Sequence, residues 1–127
     1  MAKSFSMESL NAAQRRAVQT LQGPVLILAG AGTGKTRTVT CRIAHMVDRG
    51  ISPKSILAVT FTNKAALEMR ERVGQMVDRK AARQIMVSTF HSLCVRILRE
   101  DIGRLGYKTH FTIYSGSEQS GLIRRLI

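Results

Sequence analysis

The run LAGAGTGKT, residues 28–36, places three glycines in five positions and ends on Lys35 and Thr36. Ahead of it stands the apolar run VLIL, and behind it the text turns helical. Without side chains in the way, the backbone N–H groups of Gly32, Thr33, Gly34 and Lys35 can turn inward around an anion, and a new helix adds its positive N-terminal end. A side chain at Gly32 or Gly34 is expected to obstruct that approach. Lys35 supplies a cation to β- and γ-phosphates, and Thr36 a hydroxyl to Mg²⁺. Ala29, Gly30, Ala31, Gly32, Thr33, Gly34, Lys35 and Thr36 are therefore the expected phosphate cradle, with Lys35 and Thr36 nearest the chemistry and Thr36 the metal ligand. The strict pattern G-x-x-x-x-G-K-[ST] asks for glycine where this chain has Ala29. That position only opens the loop, where a methyl group is tolerable.

Breaking a phosphate off needs more. A carboxylate at the end of a buried strand must hold Mg²⁺, and a second acid or a Gln must place water. The acids are Glu8, Asp48, Glu68, Glu71, Asp78, Glu100, Asp101 and Glu118. Glu8 is in the leader, Asp48 ends a helix, Glu68 and Glu71 lie within the next, and Asp78 ends that same one. Glu100 and Asp101 come late in a third helix and Glu118 opens the last. None follows an apolar strand. By elimination the chain is expected to carry no Walker B carboxylate, and to bind a nucleotide far better than it hydrolyses one.

The chain has 127 residues, about one domain, of which 44% are apolar. Twenty Lys plus Arg against eight Asp plus Glu give +12. That excess points to a polyanion, with nucleic acid ahead of a membrane because no helix pairs a basic face with bulky apolar residues. Cys41 and Cys94 are isolated in helix-like text and no ligand spacing suggests a metal cluster, which suits a reducing cytoplasm. MAKSFSMES has no apolar core, so residues 1–9 read as a loose leader rather than a signal peptide. No stretch reaches transmembrane length.

The elements that must position the loop alternate. Residues 11–22 have helical spacing with a possible N-cap at Asn11, closed by Gly23-Pro24. PVLILA, 24–29, reads as a strand buried on both faces of a parallel sheet. Residues 35–49 put Val39, Ile43 and Met46/Val47 on one helical face, and Gly50 stops that helix. ILAVTF, 56–61, is a second expected strand, followed by a helix that Thr62 and Asn63 can cap, with Ala66, Met69 or Ala65, Val73 and Met76/Val77 facing inward. QIMVST, 84–89, is a third strand and 90–105 a third long helix ending at Gly106. FTIYS is expected to be a fourth strand, and Ser115 with Glu118 a capping box for a last helix. This alternation means an α/β domain with a parallel sheet and flanking helices. The last helix has no stop signal, so the domain is expected to be truncated.

Four stretches in order, LNAAQRRAV, LAGAGTGKTR, ILAVTFTNKAALEMRERV and VSTFHSLCVRILRE, resemble the N-terminal ATPase domain of UvrD/Rep/PcrA-type superfamily 1 DNA helicases. The resemblance runs over 10–127 and implies a P-loop, RecA-like domain that uses ATP and Mg. In that family the acidic motif, the second RecA-like domain and the γ-phosphate-sensing arginine come later, so this sequence departs from the pattern by ending before them. The resemblance implies an N-terminal helicase piece, inactive alone, whose partners are single-stranded DNA, ATP and the rest of its chain. Repair or replication in the cytoplasm would be its setting.

Residue roles follow from the match. Gln14 resembles the family's adenine-reading glutamine; an amide offers the donor and acceptor which that edge needs. Its bland alternative is a capping-box partner to Asn11. Arg37 matches an arginine that lies over the adenine, where a planar guanidinium suits stacking, the alternative being an exposed helix arginine. Open α/β sheets bind ligands at the carboxyl ends of their strands. Thr60, Phe61, Thr62, Asn63 and Lys64 stand there, with Phe61 either core or a base-stacking platform. In STFHS, Ser88, Thr89 and His91 can donate to a backbone phosphate while Phe90 is expected in the core. Thr60–Lys64 with Thr89 and His91 would form a sequence-independent DNA track. A basic P-loop module or a small-molecule kinase remains the alternative, although TFTNKAA occupies the place where a kinase would carry its substrate pocket.

Overall fold

Asn11 accepts a hydrogen bond from the Gln14 backbone and starts helix α1, Ala12–Gln19. Gly34, at φ 83°, starts α2, Lys35–Asp48, without a side-chain cap. Strand β1 is Leu57–Thr60; α3, Asn63–Met76, follows it, capped by Thr62. Asp78 accepts from the Lys80 and Ala81 amides and opens a separate short helix, α4, Arg79–Gln84. Strand β2, Met86–Thr89, leads directly into α5, Phe90–Asp101, and α6 is Gly116–Leu126. These elements come from a computed structural model that describes residues 6–127.

Two expectations about helices need correction. Asp78 does not end the preceding helix; its carboxylate caps the next one, because α3 stops at Met76. The third long helix turns into a 3-10 segment at Ile102–Leu105 before Gly106, whose φ of 81° closes it.

The chain divides into two units, residues up to 90 and residues 91–127. In the first, β1 and β2 pair in parallel with Leu57 opposite Met86 and Thr60 opposite Thr89. Ile43 of α2, Ala66, Met69 and Val73 of α3, and Ile56, Ala58, Ile85 and Val87 on or beside the strands make its main core. Val39, Met46 and Val47 pack against it, as the helical spacing of α2 predicts. A second cluster joins Leu10, Val18 and Cys41, with Met7 and Met76 alongside, and ties α1 to α2. The second unit holds the rest of α5 and α6. There Arg99 lies 5.9 Å over the Phe111 ring, and the Ser115 hydroxyl and amide hold the Glu118 carboxyl below its ordinary range.

Two expected strands are absent. Residues 24–29 pair with no other strand among the described residues, and Leu26 and Leu28 are 84% and 87% exposed. Residues 111–115 likewise form no strand. An apolar run becomes a strand only when a neighbour supplies its hydrogen-bond ladder. Among the described residues β1 and β2 supply it only to each other. The sheet here has two strands, not three or four.

Candidate nucleotide and nucleic-acid site

The glycine loop gets its shape from backbone conformations that only glycine adopts readily. Gly32 and Gly34 have φ of 75° and 83°, left-handed values that strain any side chain. At Gly34 space is short as well, since a Cβ there would lie 3.0 Å from Gln14 Nε2. Space is not the reason at Gly32, where a Cβ would meet nothing within 4 Å. Within the chain itself, only the backbone conformation restricts this position. Thr33 folds the turn onto itself, its hydroxyl donating to the Gly30 carbonyl at 2.7 Å.

Helix α2 begins at the end of that turn, so the amides of Lys35, Thr36 and Arg37 lie in its first turn, where intrahelical bonding offers no acceptor. Those donors and the helix dipole face the same end. The Lys35 ammonium lies back along the loop and donates to the Ala29 carbonyl at 3.0 Å. Thr36 is exposed in that first turn. Among the described residues no cluster of three His, Cys, Asp or Glu could hold an ion by itself. That donor set fits Mg²⁺ arriving with a nucleotide, because Mg²⁺ takes one or two protein oxygens plus phosphate oxygens and water.

Gln14 makes two contacts with its side-chain amide. Its Oε1 accepts from the Asn11 amide at 3.1 Å, completing the capping box, and its Nε2 donates to the Thr33 carbonyl at 3.0 Å. The capping role is thus present, and the same side chain also reaches the glycine loop. A cavity of about 240 Å³ opens between α1 and the loop, lined among others by Asn11, Gln14, Gly30, Thr33 and Lys35. Arg37 is not among its lining residues. The Arg37 side chain reaches Cys41 one helical turn on, opposing the rise in the Cys41 thiol pKa that burial causes.

At the strand ends, the register that sets Thr60 opposite Thr89 brings the next residues of each strand together. The Phe61 and Phe90 rings stand 5.5 Å apart, tilted by 55°. Neither is core: Phe61 is 85% exposed and Phe90 48%. Phe90 was expected inside, but it opens α5 at the rim of the sheet, where no layer covers it within its unit. Asn63 and Lys64 are exposed in the first turn of α3. The Thr60 hydroxyl donates to the Thr62 carbonyl at 3.1 Å, while the Thr62 hydroxyl accepts from the Ala65 amide as the cap. Thr89 is buried at 5% exposure, and Ser88 donates to its carbonyl. His91 is exposed and belongs to the second unit.

The family that this combination matches is the UvrD/REP helicase N-terminal domain, over residues 10–127. The chain belongs to that family. Among curated relatives it is 55% identical over 119 residues to the ATP-dependent DNA helicase PcrA of Leuconostoc citreum, covering 93% of this chain and 16% of that protein. It is 49% identical over 122 residues to the PcrA helicases of Staphylococcus epidermidis and Staphylococcus aureus, covering 95% of this chain and 17% of each. The chain thus spans about a sixth of the length of these relatives. No helix among the described residues is long and apolar enough to cross a membrane.

One positional residue escaped the motif reading. Arg42, half-buried on α2, donates through Nη1 to the Ala17 and Thr20 carbonyls at the end of α1. Its signal was available: it shares a helical face with buried Thr38, four positions earlier.

Proposed function

We propose that this chain is the ATP-binding, single-stranded-DNA-contacting part of an ATP-dependent DNA helicase, with a P-loop of RecA-like type. The observation that carries the reading is the loop itself: left-handed Gly32 and Gly34, α2 starting at Lys35, and the Lys35 ammonium lying along the turn. Backbone amides, Lys35 and Thr36 hold the phosphates and Mg²⁺, Gln14 reads the adenine edge, and Arg37 covers the base. The bound metal supplies charge neutralisation of the phosphates; the chain's own residues bind and orient them. Phe61 stacks a base while exposed Asn63 and Lys64 contact the DNA backbone. A basic surface of +12 attracts that polyanion.

Hydrolysis and unwinding belong to the longer protein. Among the described residues the acids sit on helices or caps, and none stands at the end of β1 or β2. Titration of Mg-ADP by calorimetry tests the nucleotide site. Lys35→Ala removes the cation in the loop and is expected to weaken binding by about 1.5–3 kcal/mol, as for a charged hydrogen bond. Equal affinity of variant and unsubstituted chain rejects the site. Phosphate release clearly above background and abolished by Lys35→Ala would show a missed carboxylate.

A further inference from the structure

Helix α1 has only eight residues, too few to hold a position by itself, so its place over the loop is set by tertiary contacts. Three are present. Val18, fully buried in the last turn of the helix, packs with Leu10 and Cys41. Gln14 Nε2 donates to the Thr33 carbonyl near its N-terminal end. At the other end, Arg42 donates to the carbonyls of Ala17 and Thr20, which the helix leaves without an intrahelical partner. Of the other late carbonyls, that of Arg16 is taken by the Thr20 amide and hydroxyl.

We propose that Arg42 is a positioning residue for base recognition: by clamping the C-terminal carbonyls of α1 it sets the seat of Gln14 over the glycine loop. The geometry of α2 makes this possible. Lys35 and Arg42 are seven residues apart on one helix, a rise of roughly 10 Å, close to the roughly 12 Å length of α1. One rigid helix therefore reads both ends of another, through the loop that precedes Lys35 and through the Arg42 side chain. A guanidinium suits the task because it is always charged, it complements the negative end of α1, and its planar fork fixes direction as well as distance. Charge-assisted bonds of this kind are roughly twice as strong as neutral ones. Without the clamp, α1 keeps Val18 as a pivot and Gln14 loses its angle to the loop. Arg42 itself touches no nucleotide.

The inference rests on the reading of Gln14 as the adenine-facing residue. It is tested by measuring Mg-ADP and Mg-GDP affinities of the unsubstituted 127-residue chain, Arg42→Ala and Arg42→Lys. The unsubstituted chain is expected to prefer ADP. Arg42→Ala is expected to lose between about three- and tenfold of ADP affinity, the size of one neutral hydrogen bond, with GDP affinity unchanged. Arg42→Lys, which keeps the charge without the fork, recovers part of the preference; should Arg42→Ala not fold, this variant carries the comparison. Amide exchange adds a readout free of ligand: α1 amides exchange faster in Arg42→Ala while those of α3 keep their protection. An equal fall in ADP and GDP affinity, or a preserved ratio, overturns the positioning role. No preference in the unsubstituted chain overturns the Gln14 reading, and the inference with it.

Discussion

Gln14 and Thr33 are joined by a 3.0 Å hydrogen bond from the glutamine side-chain amide to the threonine carbonyl, across 19 residues of sequence. The same contact closes the space at Gly34, so the residue proposed to read the base also shapes the loop proposed to hold the phosphates. That coupling sets the first expectation.

Gly34→Ala should destabilise the first unit by about 1–2 kcal/mol from its left-handed backbone, before any clash with Gln14 is counted. Gly30→Ala is the control. Its φ is not positive and its Cβ would sit 3.7 Å from the Thr33 methyl, an ordinary contact. Urea denaturation of both variants checks this, and equal midpoints would contradict the strain argument.

Metal removal should weaken nucleotide binding through Thr36. Mg²⁺ bridges the phosphates and the Thr36 hydroxyl in the proposed site, so EDTA should lower ADP affinity in the unsubstituted chain. Thr36→Ala should shrink that dependence. Calorimetry with and without Mg²⁺ in both proteins reads the difference, and an undiminished Mg²⁺ effect in Thr36→Ala argues against the ligand assignment.

Phe61→Ala separates stacking from simple charge attraction. Because Phe61 is 85% exposed, its removal should alter stability by less than about 0.5 kcal/mol. Oligonucleotide affinity should fall by about 1–3 kcal/mol, the worth of one stacked base. Lys64→Ala should instead flatten the salt dependence. Fluorescence anisotropy of a labelled single strand across a salt series resolves the two, and binding by Phe61→Ala that matches the unsubstituted chain would leave only a basic surface.

Burial at 2% exposure pushes the Cys41 thiol up, against a smaller lowering by Arg37. The folded chain therefore holds the thiol proton more tightly than the unfolded one. The resulting stability is fully present below about pH 8.5, where a free thiol begins to ionise, and is lost as pH rises toward the folded value. Cys41→Ala should lack this alkaline loss relative to the unsubstituted chain in melts between pH 7 and about pH 10. At neutral pH iodoacetamide should modify exposed Cys94 well before Cys41, as mass spectrometry of brief reactions will show.

Much of the secondary structure of both units is legible in the sequence because its determinants are local. Asn11 with Gln14, Thr62 and Ser115 sit at helix starts, and Gly106 closes a turn, since capping and left-handed backbone depend on residues within one turn. The apolar spacing of α2 and α3 marks their inward faces for the same reason. The tertiary structure alone decided what depends on partners far along the chain. VLIL is as apolar as a central strand, yet without a neighbouring ladder 24–29 stays unpaired and exposed. Phe61 and Phe90 are 29 positions apart by their numbering, and only the parallel register of β1 and β2 sets their rings side by side at the rim. Arg42 reads as one more basic residue until α1 lies across α2 and its last carbonyls need a donor. Backbone sterics act between neighbours, so sequence carries them; strand pairing and side-chain bridges act through space, and only the fold brings their partners within reach.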